Sequence, residues 1–148
     1  MKRAAFFLSF ILMVGLLIPP AHAAANVYQE TDVIYTEFGV FEVETTTEIY
    51  ESLSRSNSIS GNKRALIRRD GSVIAEVTLF ATFGYDGKTA WVTSASSSHV
   101  TYDGWTYGSE KIVKSGGTAT LDAELNHLSF GVYPVHLSLT CSPTGQLS

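Results

Sequence analysis

The chain has 148 residues, a formal net charge of −4 and a single cysteine. An acidic surface argues against nucleic acid and anionic membrane as partners, because both need a basic face. One cysteine leaves no disulfide framework and no paired-cysteine zinc site.

The chain begins MKRAAFFLSFILMVGLLIPPAHAAA. Lys2 and Arg3 form a basic start, Ala4 to Ile18 is an almost unbroken apolar run, and Pro19-Pro20 breaks it. Ala21-His22-Ala23 is a small-x-small site, so residues 1–23 read as a signal peptide cleaved after Ala23, with Ala25 as second choice. The run is short for a membrane span, which needs about 20 residues. No stable membrane anchor is expected after cleavage, and the protein should be secreted. Cleavage also removes two positive charges, so the remaining chain is more acidic. About 125 residues then remain, enough for one domain with its own core.

FEVETTTEIYE, residues 41–51, alternates: Phe41, Val43, Thr45, Thr47 and Ile49 share one face. Its β-branched residues favour a strand. The Ser-, Asn- and Gly-rich SLSRSNSISGNKR that follows reads as a loop. Residues 24–60 therefore read as a strand arm plus loop, and 61–148 as the core, with 24–148 forming one domain. In SVIAEVTLFATF, Val73, Ala75, Val77, Leu79, Ala81 and Phe83 make an apolar face, and Ile74 falls on the opposite one. TAWVTSA, WTYGSEKIV, TATLDAELNHL and residues 132–141 read as further strands. Asp70-Gly71, Asp86-Gly87, Asp103-Gly104 and Gly116-Gly117 separate them as turns. The expected fold is all-β: a single antiparallel β-sandwich, immunoglobulin-like in architecture, with about seven or eight strands.

Cys141 follows Val135, Leu137 and Leu139 at intervals of two, so it reads as the last rung of a core-facing ladder. His136 falls on the opposite face, and no neighbour would activate the thiol. His99, His127 and His136 lack the spacing of a metal set, although His127 and His136 could approach across a hairpin at Gly131. Acidic residues from Glu30 to Glu51 precede a basic group from Arg55 to Arg69, which suits cross-strand pairing better than a calcium loop. There is no Gly-x-Ser-x-Gly elbow and no phosphate loop. No catalytic residue, metal or cofactor is assigned.

HVTYDGWTYG, residues 99–108, is the one local cluster with chemistry to offer. Tyr102, Asp103, Trp105 and Tyr107 surround an Asp-Gly turn, and Trp105 and Tyr107 are two apart. Rings stacked on a sugar, with polar groups on its hydroxyls, would make a glycan site. The alternative is that the rings pack the end of the fold. Trp91 reads as core.

ATFGYDGKTAWVTSASSS, DGWTYGSEKIVKSGGTAT and LTCSPTGQLS together are similar to small, uncharacterised secreted proteins of Gram-positive bacteria, Firmicutes above all. The resemblance runs from about Val77 to Ser148. It implies an exported β-rich domain and no activity. Three functions are left in competition: a non-enzymatic binding protein for a cell-surface glycan or an extracellular protein, a small hydrolase of cell wall or polysaccharide, and a structural surface or matrix component. An exposed aromatic cluster would favour the first, and a long unpaired edge strand at residues 41–51 the last. The oligomeric state is left open.

Overall fold

Short connections and strands of alternating burial account for most of the described architecture. The structure, a computed structural model, describes residues 24–51 and 57–148. The expected signal peptide, its cleavage point after Ala23 and residues 52–56 of the expected loop lie outside them. Eight strands follow: β1 (Ala24–Thr36), β2 (Gly39–Glu51), β3 (Ser58–Arg69), β4 (Ser72–Tyr85), β5 (Ala90–Thr101), β6 (Thr106–Ser115), β7 (Thr118–His127) and β8 (Gly131–Thr140). They make two antiparallel sheets, ordered β1-β2-β3-β4-β5 and β6-β7-β8. Within each sheet every strand pairs with its neighbours in the chain, so both sheets are meanders. An immunoglobulin domain uses Greek-key order instead.

The core lies between the sheets. Val77, Leu79 and Phe83 on β4 meet Leu121 and Leu125 on β7 and Leu139 on β8, all fully buried. Each such side chain contributes roughly 1.5–3 kcal/mol through burial. The apolar face expected for β4 is the one that packs here, with one change. Ile67 pairs with Ala75 but Arg68 pairs with Val73, so Ile74 is an extra residue in a bulge. The bulge turns Ile74 inward, to 3 % exposure, and leaves Val73 half-buried.

The expected loop needs correction as well. Its second half, from Ser58 to Arg64, is the first part of β3. Ile59 and Gly61 are buried there, because β2 and β4 pair with this segment on both sides. Flanking strands decide the conformation over a Ser/Asn/Gly composition that favours turns.

The chain passes between sheets once, from β5 to β6. Tyr102 to Trp105 closes a tight turn, with the Trp105 amide donating to the Tyr102 carbonyl at 3.0 Å. Asp103 and Gly104 have φ of 53° and 79°. A turn with positive φ at both central positions favours Asp-Gly, since glycine takes the second at no steric cost.

Candidate functional site

The four residues singled out around the Asp-Gly turn do not make one surface. Tyr102 is 44 % exposed, and Asp103 is exposed beside it at the turn. Trp105, by contrast, is 4 % exposed. Its ring meets Phe41 edge-on at 6.2 Å, His127 at 5.2 Å and Phe130 at 6.3 Å between centroids. Phe41 in turn stacks on Tyr133 at 4.5 Å, and the Arg69 guanidinium covers Phe130 at 3.6 Å. Trp105 therefore seals the end of the core, and neither ring face is free for a sugar.

Tyr107 is engaged too. It pairs with Leu125, so it points between the sheets, and its ring stacks on His99 at 3.9 Å. Its hydroxyl donates to Glu110 at 2.7 Å, and Ser97 on β5 donates to the same oxygen at 2.7 Å. A bulge at Ser109 and Glu110, opposite Ala123, sets Glu110 in that position, with Ser109 at φ 54°. The Ser97 and Tyr107 hydrogen bonds hold the Glu110 carboxyl below its usual range. Burial first, and Glu110 second, push the Tyr107 hydroxyl well above its ordinary value. The group fastens β5 to β6 across the sheets.

The open tryptophan is Trp91, which was expected in the core. It is 46 % exposed on the outer face of the five-stranded sheet. It pairs with Gly84, and a Cβ on Gly84 would lie 2.4 Å from the indole. Only glycine lets the ring lie flat across the strand there. A bulge at Thr93 fixes the register, since Thr82 pairs with Ser94 and Phe83 with Val92. The register puts Tyr35, Val33, Phe80 and Val100 on the same outer face. Their exposures are 81, 49, 40 and 50 %.

Polar groups tie the middle of that face together. Arg68 pairs with Glu44 at 3.1 Å and Arg64 with Glu76 at 2.6 Å, so acidic and basic strands do meet across the sheet. Tyr50 donates to Glu48, and Asn62 donates to both. These bonds, Tyr50 first, hold the Glu48 carboxyl below its usual range.

His127 and His136 do not converge. His127 lies in the aromatic cluster, and His136 sits 2.6 Å from Asp122 on the neighbouring strand. The described residues hold no group of three His, Cys, Asp or Glu that could bind a metal ion. Cys141 is 3 % exposed, in line with Val135, Leu137 and Leu139. Its thiol donates to the Ser142 carbonyl at 3.3 Å, and burial pushes its pKa up. No protein-family model, no curated protein and no solved structure matches this chain.

Proposed function

We propose that this is a secreted, non-enzymatic interaction protein that holds an extracellular protein on the outer face of its five-stranded sheet. The two layers, stacked like an immunoglobulin-type sandwich though not in its strand order, would serve as a rigid platform. One observation carries the reading: Phe80 and Trp91, with Tyr35 at the far corner, stand open on one sheet face that nothing in the described residues covers. Exposed aromatic groups ringed by polar residues characterise protein-binding surfaces. A glycan partner loses support because Trp105 is buried and Tyr107 is spent on Glu110. A structural surface or matrix role rests on a separate observation, the open edge of β1; residues 41–51, expected to be that edge, are instead paired on both sides as β2.

Retention on intact cells of the source organism tests the reading. Binding should vanish after the cells are treated with protease, survive enzymatic removal of surface carbohydrate, and be lost in Tyr35→Lys/Trp91→Lys. Retention that depends on carbohydrate, or that ignores the double substitution, would overturn it.

A further inference from the structure

The three-stranded sheet is narrower than the five-stranded one and is set to one side. β8 packs over β3 and β4, β7 over β4 and β5, and β6 against β5. Among the described residues no strand lies over β1 and β2; the Trp105 and Tyr133 rings reach across to Phe41 at one end, and the C-terminal Leu147 and Ser148 border the floor beside Thr45 and Thr47 at the other. The molecule therefore ends in a step, with the inward face of β1–β2 as its floor and the outer edge of β8 as its wall.

Three hollows follow one another along this step. One of about 240 Å³ lies between Ile34, Phe38, Phe41 and Val132. Another of about 240 Å³ lies over Glu30, Thr45, Thr47 and Lys63. The last, about 400 Å³, lies between Asn26, Ile49, Ile59 and Leu147. From Ile34 to Asn26 the floor runs about 27 Å at ~3.4 Å per residue. Both strands that border it have an open side. Among the described residues β1 pairs only with β2. On β8, Thr140 exchanges two hydrogen bonds of 2.9 Å with Ser148, and Pro134 has no amide proton to offer. The Val135–Leu139 stretch between them has no outer partner strand among the described residues.

Strand direction decides what fits. Neighbours within each sheet are antiparallel, and β5 and β6 run antiparallel through their tight turn. β1 and β8 therefore run in opposite directions. A twofold axis parallel to the strands preserves direction and exchanges the two layers. It sets β1 of one copy antiparallel beside β8 of the other, twice, and lays the two β1–β2 hairpins floor to floor. Charge selects the same pairing. A β1–β1 junction would bring Glu30 and Asp32 against their own copies, at a cost. The Val135–Leu139 edge carries no carboxylate. On the floor, Lys63 and the hydroxyls of Tyr28, Thr45 and Thr47 offer donors to Glu30 and Asp32.

We propose that the step is a homodimer joint. A second copy of this chain would complete each layer to eight strands by edge addition, with β1 of one subunit paired to β8 of the other. The contact is self-complementary and closes at two copies. It lies on the opposite side of the sheet from the partner-binding face proposed above, so either reading can fail alone.

Sedimentation of the secreted form, paired with amide exchange, tests the joint. The expected result is a mass of two copies that does not grow with concentration, with slow exchange along Val135–Leu139. Thr45→Arg, a half-buried floor position, should give a folded single copy, while Thr45→Ser stays dimeric. Tyr35→Lys/Trp91→Lys should keep the dimer even if it loses cell retention. A parent that stays single up to millimolar concentration, that grows beyond two, or that dimerises equally well with Arg at 45 would overturn the proposal. Should Thr45→Arg not fold, fast exchange at Val135–Leu139 in the parent would overturn it by itself.

Discussion

The two halves of the five-stranded sheet carry similar alternation but serve different ends. In β4, every residue from Val77 to Phe83 that faces inward is buried, and the row is Val, Leu, Ala and Phe. In β2, the inward row is Phe41, Val43, Thr45, Thr47 and Ile49, with hydroxyls at its centre. In β1, the corresponding residues are Tyr28, Glu30, Asp32 and Ile34. Going from the covered strands to the uncovered edge, the same face of one sheet changes from apolar to mixed to acidic. Period sets which face a residue takes, and the reach of the opposing sheet sets how apolar that face must be.

Four substitutions would break or sharpen this contrast. The largest effect belongs to the tryptophan in the covered region. Trp105→Ala should cost about 3–5 kcal/mol in urea unfolding, the range for a large buried aromatic. Trp91→Ala, on the outer face, should cost under about 1 kcal/mol. Equal losses would mean that the burial contrast is wrong. Next, Leu79→Ala should cost about 2–5 kcal/mol, and Thr45→Ala on the open floor about 0.5 kcal/mol or less.

Cys141 gives a kinetic version of the same contrast. A thiol reagent should label the folded protein only at the rate of opening and label it quickly in denaturant. Fast labelling of the folded chain would show that the end of β8 is not part of the core. The smallest effect lies at the acid limb. Glu48 and Glu110 both have lowered carboxyl pKa values, so each stabilises the fold above the ordinary carboxylate pKa of about 4.3 and loses that contribution as pH falls below it. Both are open enough to solvent for screening to limit the gain. Glu110→Gln should lower stability slightly at neutral pH, converge with the parent in acid, and so flatten the profile below about pH 5. A profile that keeps its slope would remove the Ser97–Tyr107–Glu110 group as the cause.

Much of the scaffold could be read in the residues. The β4 and β8 ladders, the Asp-Gly turns and the inward position of Cys141 all follow from period and turn chemistry. Failures occurred where one residue shifts the register. Ile74 enters the core because a bulge inserts it, and no alternation rule anticipates an extra residue. Residues 58–64 became strand because neighbours on both sides supplied hydrogen-bond partners that composition does not reveal. The two tryptophans exchanged places for a tertiary reason. Trp105 follows the turn that carries the chain into the second sheet, so it enters the gap between layers, whereas Trp91 lies over Gly84 on a face that no layer covers among the described residues. Gly84 is the sequence clue that was available: a glycine within a strand signals a close approach.

The meander order has a consequence for how the chain reaches this state. Each sheet can assemble by zipping one hairpin onto the next, so most pairings close short loops and carry a small entropic cost. Only the docking of the β6-β7-β8 unit onto the first five strands joins distant parts of the sequence, and it turns on a single two-residue corner at Asp103-Gly104. Folding can thus proceed as two local events followed by one closure about that corner, like the shutting of a book on its spine.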